Sequence, residues 1–374
     1  MHPPDLPSLK PLKTITPSLY NMGLSCLART LWAAFGDRKH SPETTSAILG
    51  NAFHGVLEDC AKGRLPTDAS ARKSAAASLF DQKAVQEIGK AHPLLRWRYP
   101  DVRRMPYYFT FQARAGTAAL EIASRQPGAS GNSGPVRRAE WRLKSIDRLV
   151  EGRIDLVDTR ERAVIDYKTG GDPPTNVVFR VQEERQLRLY AHLCAENNVV
   201  IDKGVIVRGS GRRDEMVLTD VEASAEGHAA RALRADLNAG ISAGKTIHDF
   251  ADPSPENCRG CPGRVRCEPY WSAHGPDWQE APPTRVEGEV LSCDLVQVAS
   301  QPSFTLCLRV LRGDVPGTKA TTDAFPAALC AADGDVLPKA GDVVRLLDVW
   351  TTPGSPALIK PNLAGPLTTV WRLD

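Results

Sequence analysis

Hydrophobic residues in the first part of the chain recur with the period of an amphipathic helix over residues 43–61. The apolar side chains fall three or four positions apart and so share one buried face: Leu49, Phe53, Val56, Leu57 and Cys60. His54 and Glu58 interrupt this pattern four residues apart, so they also share a face. Such a pair is more often a surface contact than a site and does not by itself indicate a function.

Beyond residue 138 the pattern changes to short strands. Three β-type segments cover 139–150, 152–157 and 162–168, with charged or glycine-containing turns between them. They are followed by a helix, a strand and a second helix, which we predict over 181–196, 204–208 and 222–239. The order helix, three strands, helix, strand predicts an α/β domain.

Residues 62–137 show no sharp motif. Four arginines in this stretch alternate with aromatic residues, which brings phosphate-seeking groups beside rings able to stack on bases: Arg96, Arg98, Arg103 and Arg104, with Trp97, Tyr99, Tyr107 and Tyr108. A solvated basic face with ordinary core aromatics explains the same pattern equally well.

The last part of the chain shows no helical period. Residues 274–285 contain three prolines and a glycine and read as a linker. The β-type segments 286–298, 304–311, 342–350 and 368–373 then predict a small barrel or sandwich. We therefore divide the chain into a large domain over 1–273, the linker, and a small all-β domain over 286–374.

Composition narrows the class of protein without identifying it. The chain has 374 residues, of which 42% are hydrophobic and 24% charged, as is usual for a soluble globular protein. We expect no membrane span and no secretory signal, hence a cytoplasmic location in which the nine cysteines stay reduced. The net charge of +3 is too small to indicate nucleic acid.

The strongest local signal is GRIDLVDTRERAVIDYKTG, residues 152–170. If a hairpin turn is centred on residues 160 and 161, antiparallel pairing places Asp155 directly opposite Asp166. Facing carboxylates repel unless a cation lies between them, and Mg²⁺ and Mn²⁺ prefer oxygen ligands. Strand alternation brings Lys168 to the same side as Asp166.

Two carboxylates and a lysine suit the hydrolysis of a phosphodiester. A bound metal lowers the pKa of a water molecule, and the lysine orients that water or stabilises the developing negative charge. A surface hairpin with alternating charges explains the bare pattern about as well, so further residues decide between the two.

Four segments together resemble the RecB-like nucleases, a branch of the PD-(D/E)XK superfamily that includes bacterial end-processing nucleases and CRISPR-associated exonucleases. They are LGNAFHGVLED, GRIDLV, IDYKTG and QLRLY, which look like the family's histidine helix, two aspartate strands and classifying motif. The resemblance covers about residues 17–270, with 62–137 unmatched. It implies a restriction-endonuclease-like αβββαβ core with helical additions.

The resemblance also implies a catalytic centre. His54, Asp155 and Asp166, with the Tyr167 carbonyl, would hold Mg²⁺ or Mn²⁺, and Lys168 would assist catalysis alongside the two aspartates.

Two further residues would line the substrate groove by the same resemblance. Gln186 and Tyr190 lie one helical turn apart. Glu140, on the preceding strand, would add a carboxylate or position a ligand. The implied activity is metal-dependent cleavage of DNA that is single-stranded or has free ends, as an exonuclease or end-processing enzyme. The alternative is a non-catalytic DNA-binding or scaffold subunit.

Three late cysteines, Cys258, Cys261 and Cys267, form a C-x2-C-x5-C group typical of metal ligation. Cys26 resembles the distant first cysteine of the iron–sulfur RecB-like nucleases, although Leu27 replaces the usual proline. A 4Fe-4S cluster on these four would clamp the start and end of the nuclease domain together. Zn²⁺ is the alternative that four thiolates also suit, in a zinc-stapled adaptor.

The other five cysteines fall in apolar patterns and are predicted to be buried small hydrophobes: Cys60, Cys194, Cys293, Cys307 and Cys330.

A relaxed phosphate-loop pattern, AGISAGKT, occupies residues 239–246 but ends a predicted helix instead of opening one. We therefore expect no nucleotide cofactor, and any unwinding would come from a helicase or another repair or defence protein. The C-terminal segments look like an OB-type barrel. Its candidate contacts to a single strand are Phe304, Arg309, Trp350 and Lys360, although its aromatics could equally fill the core, and docking is the other role.

Overall fold

Two β-sheets, one in each half of the chain, organise the computed structural model. The structure describes residues 3, 5–36, 43–124, 137–168, 174, 177–208, 212–273, 284–299, 301–315, 317–330, 337–352, 354, 356–362 and 367–373. The first sheet has five strands and the second has seven.

Two short helices precede the first sheet. Helix α1 spans Pro17–Ser25 and α2 spans Leu27–Phe35. Thr16 caps α1, because its hydroxyl accepts a hydrogen bond from the Leu19 N–H and Pro17 supplies a favourable first turn. Cys26 lies between the two helices in an extended conformation.

Four helices form the layer that carries His54. They are α3 (Thr45–Ala61), α4 (Ala69–Lys90), α5 (Pro93–Arg98) and α6 (Tyr108–Ser124). Helix α3 is the one predicted over 43–61, and it starts slightly later because the Thr44 side chain accepts from the Ala47 N–H. The stretch without a motif is thus largely helical where it is described, and α4 and α6 pack against α3.

The basic aromatic stretch divides between core and surface. Tyr99 and Tyr108 are buried, and the Tyr108 hydroxyl donates to Asp81 Oδ1 at 2.6 Å. Stacking on bases is therefore the wrong interpretation for these two rings, which fill the core between helices. Tyr107 is exposed, Trp97 is half-buried, and all four arginines lie at the surface.

The first sheet contains β1 (Arg137–Lys144), β2 (Glu151–Asp158), β3 (Ala163–Tyr167), β4 (Lys203–Val207) and β5 (Arg213–Val217), in that order. Neighbours are antiparallel except β3 and β4, which are parallel and joined through α7 (Val181–Glu196). The predicted succession of helix, three strands, helix and strand is present, and β5 is an addition. Helix α8 (Asp220–Ser242) packs on α7.

Both faces of this sheet are covered in its middle. Leu156 and Ile165 belong to the cluster formed with α3, α4 and α6, whereas Val157 and Val164 belong to the cluster formed with α7. The catalytic candidates on β2 and β3 are consequently anchored in rigid, fully packed strands.

The segment after α8 carries the late cysteines. It contains a 3-10 turn at Ile247–Phe250, then α9 (Pro255–Cys258), a second turn at Arg264–Arg266, and α10 (Glu268–Ser272). Helix α8 ends before Gly244, whose φ of +80° closes the helix terminus. Residues 239–246 therefore end a helix, as expected, and lack the strand-to-helix setting of a phosphate loop.

The second sheet forms the C-terminal all-β part. Its strands are β6 (Thr284–Val298), β7 (Gln301–Gly313), β8 (Lys319–Thr322), β9 (Phe325–Pro326), β10 (Val343–Thr352), β11 (Ala357–Pro361) and β12 (Thr369–Leu373). Five of them close into a ring in the order β6, β7, β8, β11, β10, because β11 pairs with both β8 and β10. Most of the expected linker, residues 274–283, lies outside the described residues.

The candidate strand-binding residues of this barrel do not all reach its surface. Phe304 is fully buried, with its ring centroid 5.9 Å from that of Phe325, so the interpretation of Phe304 as a base-stacking residue is wrong. Arg309, Trp350 and Lys360 are exposed, and Trp350 pairs with Lys360 in the register of β10 and β11.

Among the described helices, none combines the length and the apolar character needed to cross a membrane.

Candidate active site

Three carboxylates lie side by side across β1, β2 and β3. The register of β1 and β2 places Glu140 opposite Asp155, and that of β2 and β3, continued by one residue, places Asp155 opposite Asp166. The hairpin is thus centred on residues 160 and 161, as the sequence predicted. Glu140 adopts a left-handed φ of 51°, a conformation that typically costs about 1–3 kcal/mol and concentrates at functional sites.

His54 reaches this row from α3. Its Nδ1 lies 3.2 Å from Glu140 Oε1 and 3.5 Å from Asp155 Oδ1. One ligand atom from each of the three residues lies within 4.8 Å of the others. An imidazole and two carboxylates form a donor set that suits Mn²⁺ or Mg²⁺.

The acidic groups of this row lie close enough to repel one another. Burial raises the pKa of Asp155 to about 7, and the charges of Asp166 and Glu140 add to this effect. Burial alone would lower the pKa of His54, but Asp155 and Glu140 raise it to about 9. A divalent cation would relieve this repulsion, so the residues present fit the metal.

Asp166 is not part of the compact donor group among the described residues, and its carboxylate contacts Lys168 and Gln186. Its Oδ2 lies 2.8 Å from Lys168 Nζ, and its Oδ1 accepts a hydrogen bond of 2.9 Å from Gln186 Nε2. Lys168 also donates to Gln186 Oε1 at 2.6 Å. Burial opposes the charge on Lys168, but Asp166 outweighs it and raises the lysine pKa, so Lys168 remains a cation.

Main-chain and helix contacts hold these groups in place. The Tyr167 N–H donates to Asp155 Oδ2 at 2.8 Å, and the Tyr167 ring packs edge-on against Phe53. The Tyr190 hydroxyl accepts from Gln186 and donates to the Arg153 carbonyl at 2.9 Å. Gln186 and Tyr190 thereby fix α7 to the strands that carry the aspartates.

An open cavity of about 530 Å³ contains the site. Its walls include His54, Asp155, Asp166, Tyr167, Lys168, Gln186 and Tyr190. Nine further wall residues were not identified from the sequence, among them the polar Thr16, Ser18, Arg142, Lys144 and Arg153. Arg142 and Lys144 could have been found from the sequence, because they alternate with apolar Leu143 on β1 and therefore lie on the opposite face of the strand.

Residues 14–268, about two thirds of the chain, match the family model described as the PD-(D/E)XK nuclease superfamily. The chain belongs to the PD-(D/E)XK nuclease superfamily. None of the curated proteins matches it. Membership identifies the class of protein as a nuclease, and PD-(D/E)XK nucleases typically use Mg²⁺ or Mn²⁺, in agreement with the donor group of His54, Glu140 and Asp155.

The four candidate cluster cysteines come together from opposite ends of the PD-(D/E)XK region. Cys26 lies beside the late-cysteine segment, since the Asp252 N–H donates to its Sγ at 3.4 Å and Arg29 donates to the Asn257 carbonyl at 3.4 Å. Burial raises the pKa of Cys267 to about 12, and the thiols of Cys261, Cys258 and Cys26 contribute to the rise. In the described part of the chain, no three of these sulfur atoms lie within 4.8 Å of one another.

Backbone N–H groups point at three of the four sulfur atoms. Asp252 donates to Cys26 Sγ at 3.4 Å, and the N–H groups of Gly263 and Tyr270 donate to Cys261 and Cys267. Hydrogen bonds of this kind stabilise metal-bound thiolates.

The indole of Trp32 borders the same segment. Its Nε1 is buried and has no hydrogen-bond partner among the described residues. A Cβ at Gly263 would lie only 2.2 Å from that nitrogen, so glycine is needed for the close approach. Trp32 thus packs closely against the loop that carries the late cysteines.

The five remaining cysteines are partly as predicted. Three are buried, namely Cys60, Cys194 and Cys330, whereas Cys293 and Cys307 are only half-buried because they lie on the long strands β6 and β7.

Proposed function

We propose that the chain is a metal-dependent deoxyribonuclease of the RecB-like type that cleaves single-stranded DNA or DNA ends. The observation that carries the proposal is the compact group of His54, Glu140 and Asp155. Two of its members, His54 and Asp155, line one open cavity together with the cationic Lys168. A non-catalytic scaffold would gain nothing from the strained backbone of Glu140 or from its repulsion with the neighbouring Asp155 and Asp166, so these features favour the nuclease.

Each residue has a role in this proposal. His54, Glu140 and Asp155 hold the divalent cation, with Asp166 and the Tyr167 carbonyl as the further ligands implied by the resemblance. The cation, when bound, supplies an activated water and neutralises phosphoryl charge. Lys168 stabilises the negative charge that develops on the phosphate.

Two residues of α7 act in support. Gln186 orients both Asp166 and Lys168 through its amide, and Tyr190 fixes Gln186. These two also line the cavity and would contact the substrate.

We further propose a 4Fe-4S cluster on Cys26, Cys258, Cys261 and Cys267. The N–H groups aimed at sulfur support it. Tetrahedral Zn²⁺ bound by the same four thiolates is the alternative.

The C-terminal part is proposed as a separate OB-like domain over 286–374, following the nuclease domain over 1–273. The closed five-stranded ring with one parallel pair, β8 and β11, supports this assignment. Exposed Trp350 beside Lys360 is the remaining candidate contact to a strand. A helicase or another repair or defence protein is the proposed partner for substrates that need unwinding.

The deciding experiment uses anaerobically purified protein with end-labelled single-stranded and duplex DNA. With Mn²⁺ or Mg²⁺, the wild type should degrade DNA, Asp155→Asn should be inactive, and Lys168→Met should lose about 10²–10³-fold in rate. Asp294→Asn, an exposed carboxylate on β6, is the matched control and should retain full activity. Absence of cleavage by wild-type protein, in every metal, would favour the scaffold.

Iron, sulfide and zinc are measured on the same preparation. About four iron and four sulfide per chain support the cluster, and one zinc without sulfide supports the adaptor.

A further inference from the structure

Two arginines face each other across β1 and β2, directly beside the metal-binding group. Arg142 is the register partner of Arg153, two residues along the strands from Glu140 and Asp155. Like charges directly opposite each other in a sheet are destabilising. A bound anion between or above the two guanidinium groups would remove that repulsion.

The two guanidinium groups differ in their partners. Arg153 Nε lies 2.9 Å from Glu140 Oε2, and its side chain is 49% exposed. Arg142 is exposed, and within the described ranges it has neither a hydrogen bond nor an ion pair. Arg142 is therefore a donor available to a ligand, held in place by buried Leu143 beside it.

A third cation continues the row. Lys144 follows Arg142 on β1 and forms a 3.2 Å ion pair with Glu151, with 58% of its side chain exposed. All three cations line the cavity that contains His54 and Asp155. Successive exposed positions on a strand lie about 7 Å apart, a step comparable to that between neighbouring phosphates of an extended polynucleotide.

We propose that Arg142, Arg153 and Lys144 form a subsite for the phosphates adjoining the scissile phosphodiester of a bound strand. Planar guanidinium groups bind phosphate oxygens through paired hydrogen bonds, and the contacts to successive phosphates fix the register of the strand over the metal. The inference rests on the proposed nuclease function. It adds that the site binds several phosphates of one strand and so prefers a polynucleotide to a small phosphodiester.

The test compares a long oligonucleotide with bis(p-nitrophenyl) phosphate, a diester without neighbouring phosphates. Arg142→Ala should lower the ratio of kcat/KM for the oligonucleotide to kcat/KM for the diester about tenfold, and Arg142→Lys should restore part of it. Arg160→Ala, which removes an exposed arginine from the β2–β3 turn outside the cavity, should keep the wild-type ratio.

A binding measurement separates this inference from the proposed function. In Ca²⁺, the salt dependence of labelled-strand binding should lose about one unit of slope in Arg142→Ala, as for one lost phosphate contact. An unchanged slope and ratio would overturn the subsite, and so would equal losses on both substrates. If the wild type cleaves nothing, the nuclease proposal fails, while the slope still decides whether Arg142 binds phosphate.

Discussion

At the scale of single residues, the site depends on a glutamate in a conformation that glutamate rarely adopts. Glu140 contacts His54 on one side and Arg153 on the other, and it lies opposite Asp155. The surrounding strands must hold this backbone in place, since nothing local favours it. The proposed cation on His54, Glu140 and Asp155 would explain why the strain persists.

Replacement of Glu140 tests this role. Glu140→Gln should weaken Mn²⁺ binding about tenfold or more, because one of three charged or imidazole donors becomes neutral. Isothermal titration calorimetry with Mn²⁺ measures the change. Glu58→Gln, which alters a half-buried acid on the same helix as His54, serves as control and should bind Mn²⁺ as the wild type does. Equal affinity in Glu140→Gln would exclude the glutamate as a ligand.

At the scale of elements, a buried ionic cluster positions α7 over the sheet. The Arg208 side chain, fully buried at the end of β4, donates to Glu183 on the first turn of α7 and to Asp214 on β5. Gln186 lies one turn further along α7, so the cluster determines where the Gln186 amide meets Lys168.

The cluster should be essential for stability. Glu183→Gln should lower the free energy of unfolding by about 3 kcal/mol, because it leaves Arg208 buried with an incomplete counter-charge. Urea denaturation at neutral pH measures the loss. Glu184→Gln, a half-buried acid next along the same helix, is the control and should change stability by less than about 1 kcal/mol.

The same cluster predicts acid sensitivity. Burial works against the charge of Glu183 and Asp214, but hydrogen bonds from the neighbouring arginines lower both pKa values below their unfolded values. Their stabilisation is complete above the unfolded pKa values, near 4, and is lost as pH falls through the lower folded values. Wild-type stability should therefore fall more steeply below about pH 4 than that of Glu183→Gln. Parallel curves would contradict this.

At the scale of the whole molecule, buried arginines join the late-cysteine segment to the barrel. Arg264 pairs with Asp348 at 2.8 Å, and Arg285 donates to the Tyr270 carbonyl at 2.7 Å. Arg345 pairs with both Glu268 and Glu287. The barrel thus holds the loop that presents three of the four candidate cluster ligands.

Loss of the Arg345 contacts should lower both the stability of the protein and its iron content. Arg345→Met should destabilise the protein by about 3 kcal/mol, since it leaves Glu287 buried with less counter-charge, and should reduce the iron retained after purification. Thermal unfolding and iron analysis measure the two effects. Arg309→Met breaks the more exposed pair with Glu289 and should cost less than about 1 kcal/mol. Full iron retention in Arg345→Met would show that the barrel does not support the cysteine loop.

The sequence predicted correctly those elements in which apolar and polar residues alternate regularly. Helix α3 and strands β2 and β3 have regular apolar periods, and hairpin geometry alone related Asp155 to Asp166. Helix α4 was missed because its buried stripe consists of Ala76, Phe80 and Ala84, which differ little in hydropathy from their neighbours. Strands β8, β9 and β11 were missed because they lack a clear apolar pattern: β8 has no large apolar residue, β9 has only two residues, and β11 ends in a proline.

By itself, the sequence determined the α/β order, because that order depends on the local hydrophobic period, and its motifs carried the resemblance to the superfamily. It also predicted that His54, Asp155, Asp166 and Lys168 belong to one site. Only the tertiary structure decided that Glu140 joins His54 and Asp155, that Arg142 faces Arg153, and that the barrel contacts the cysteine segment. Such contacts join residues far apart in the chain, and the way the helices and sheets pack determines which of them meet.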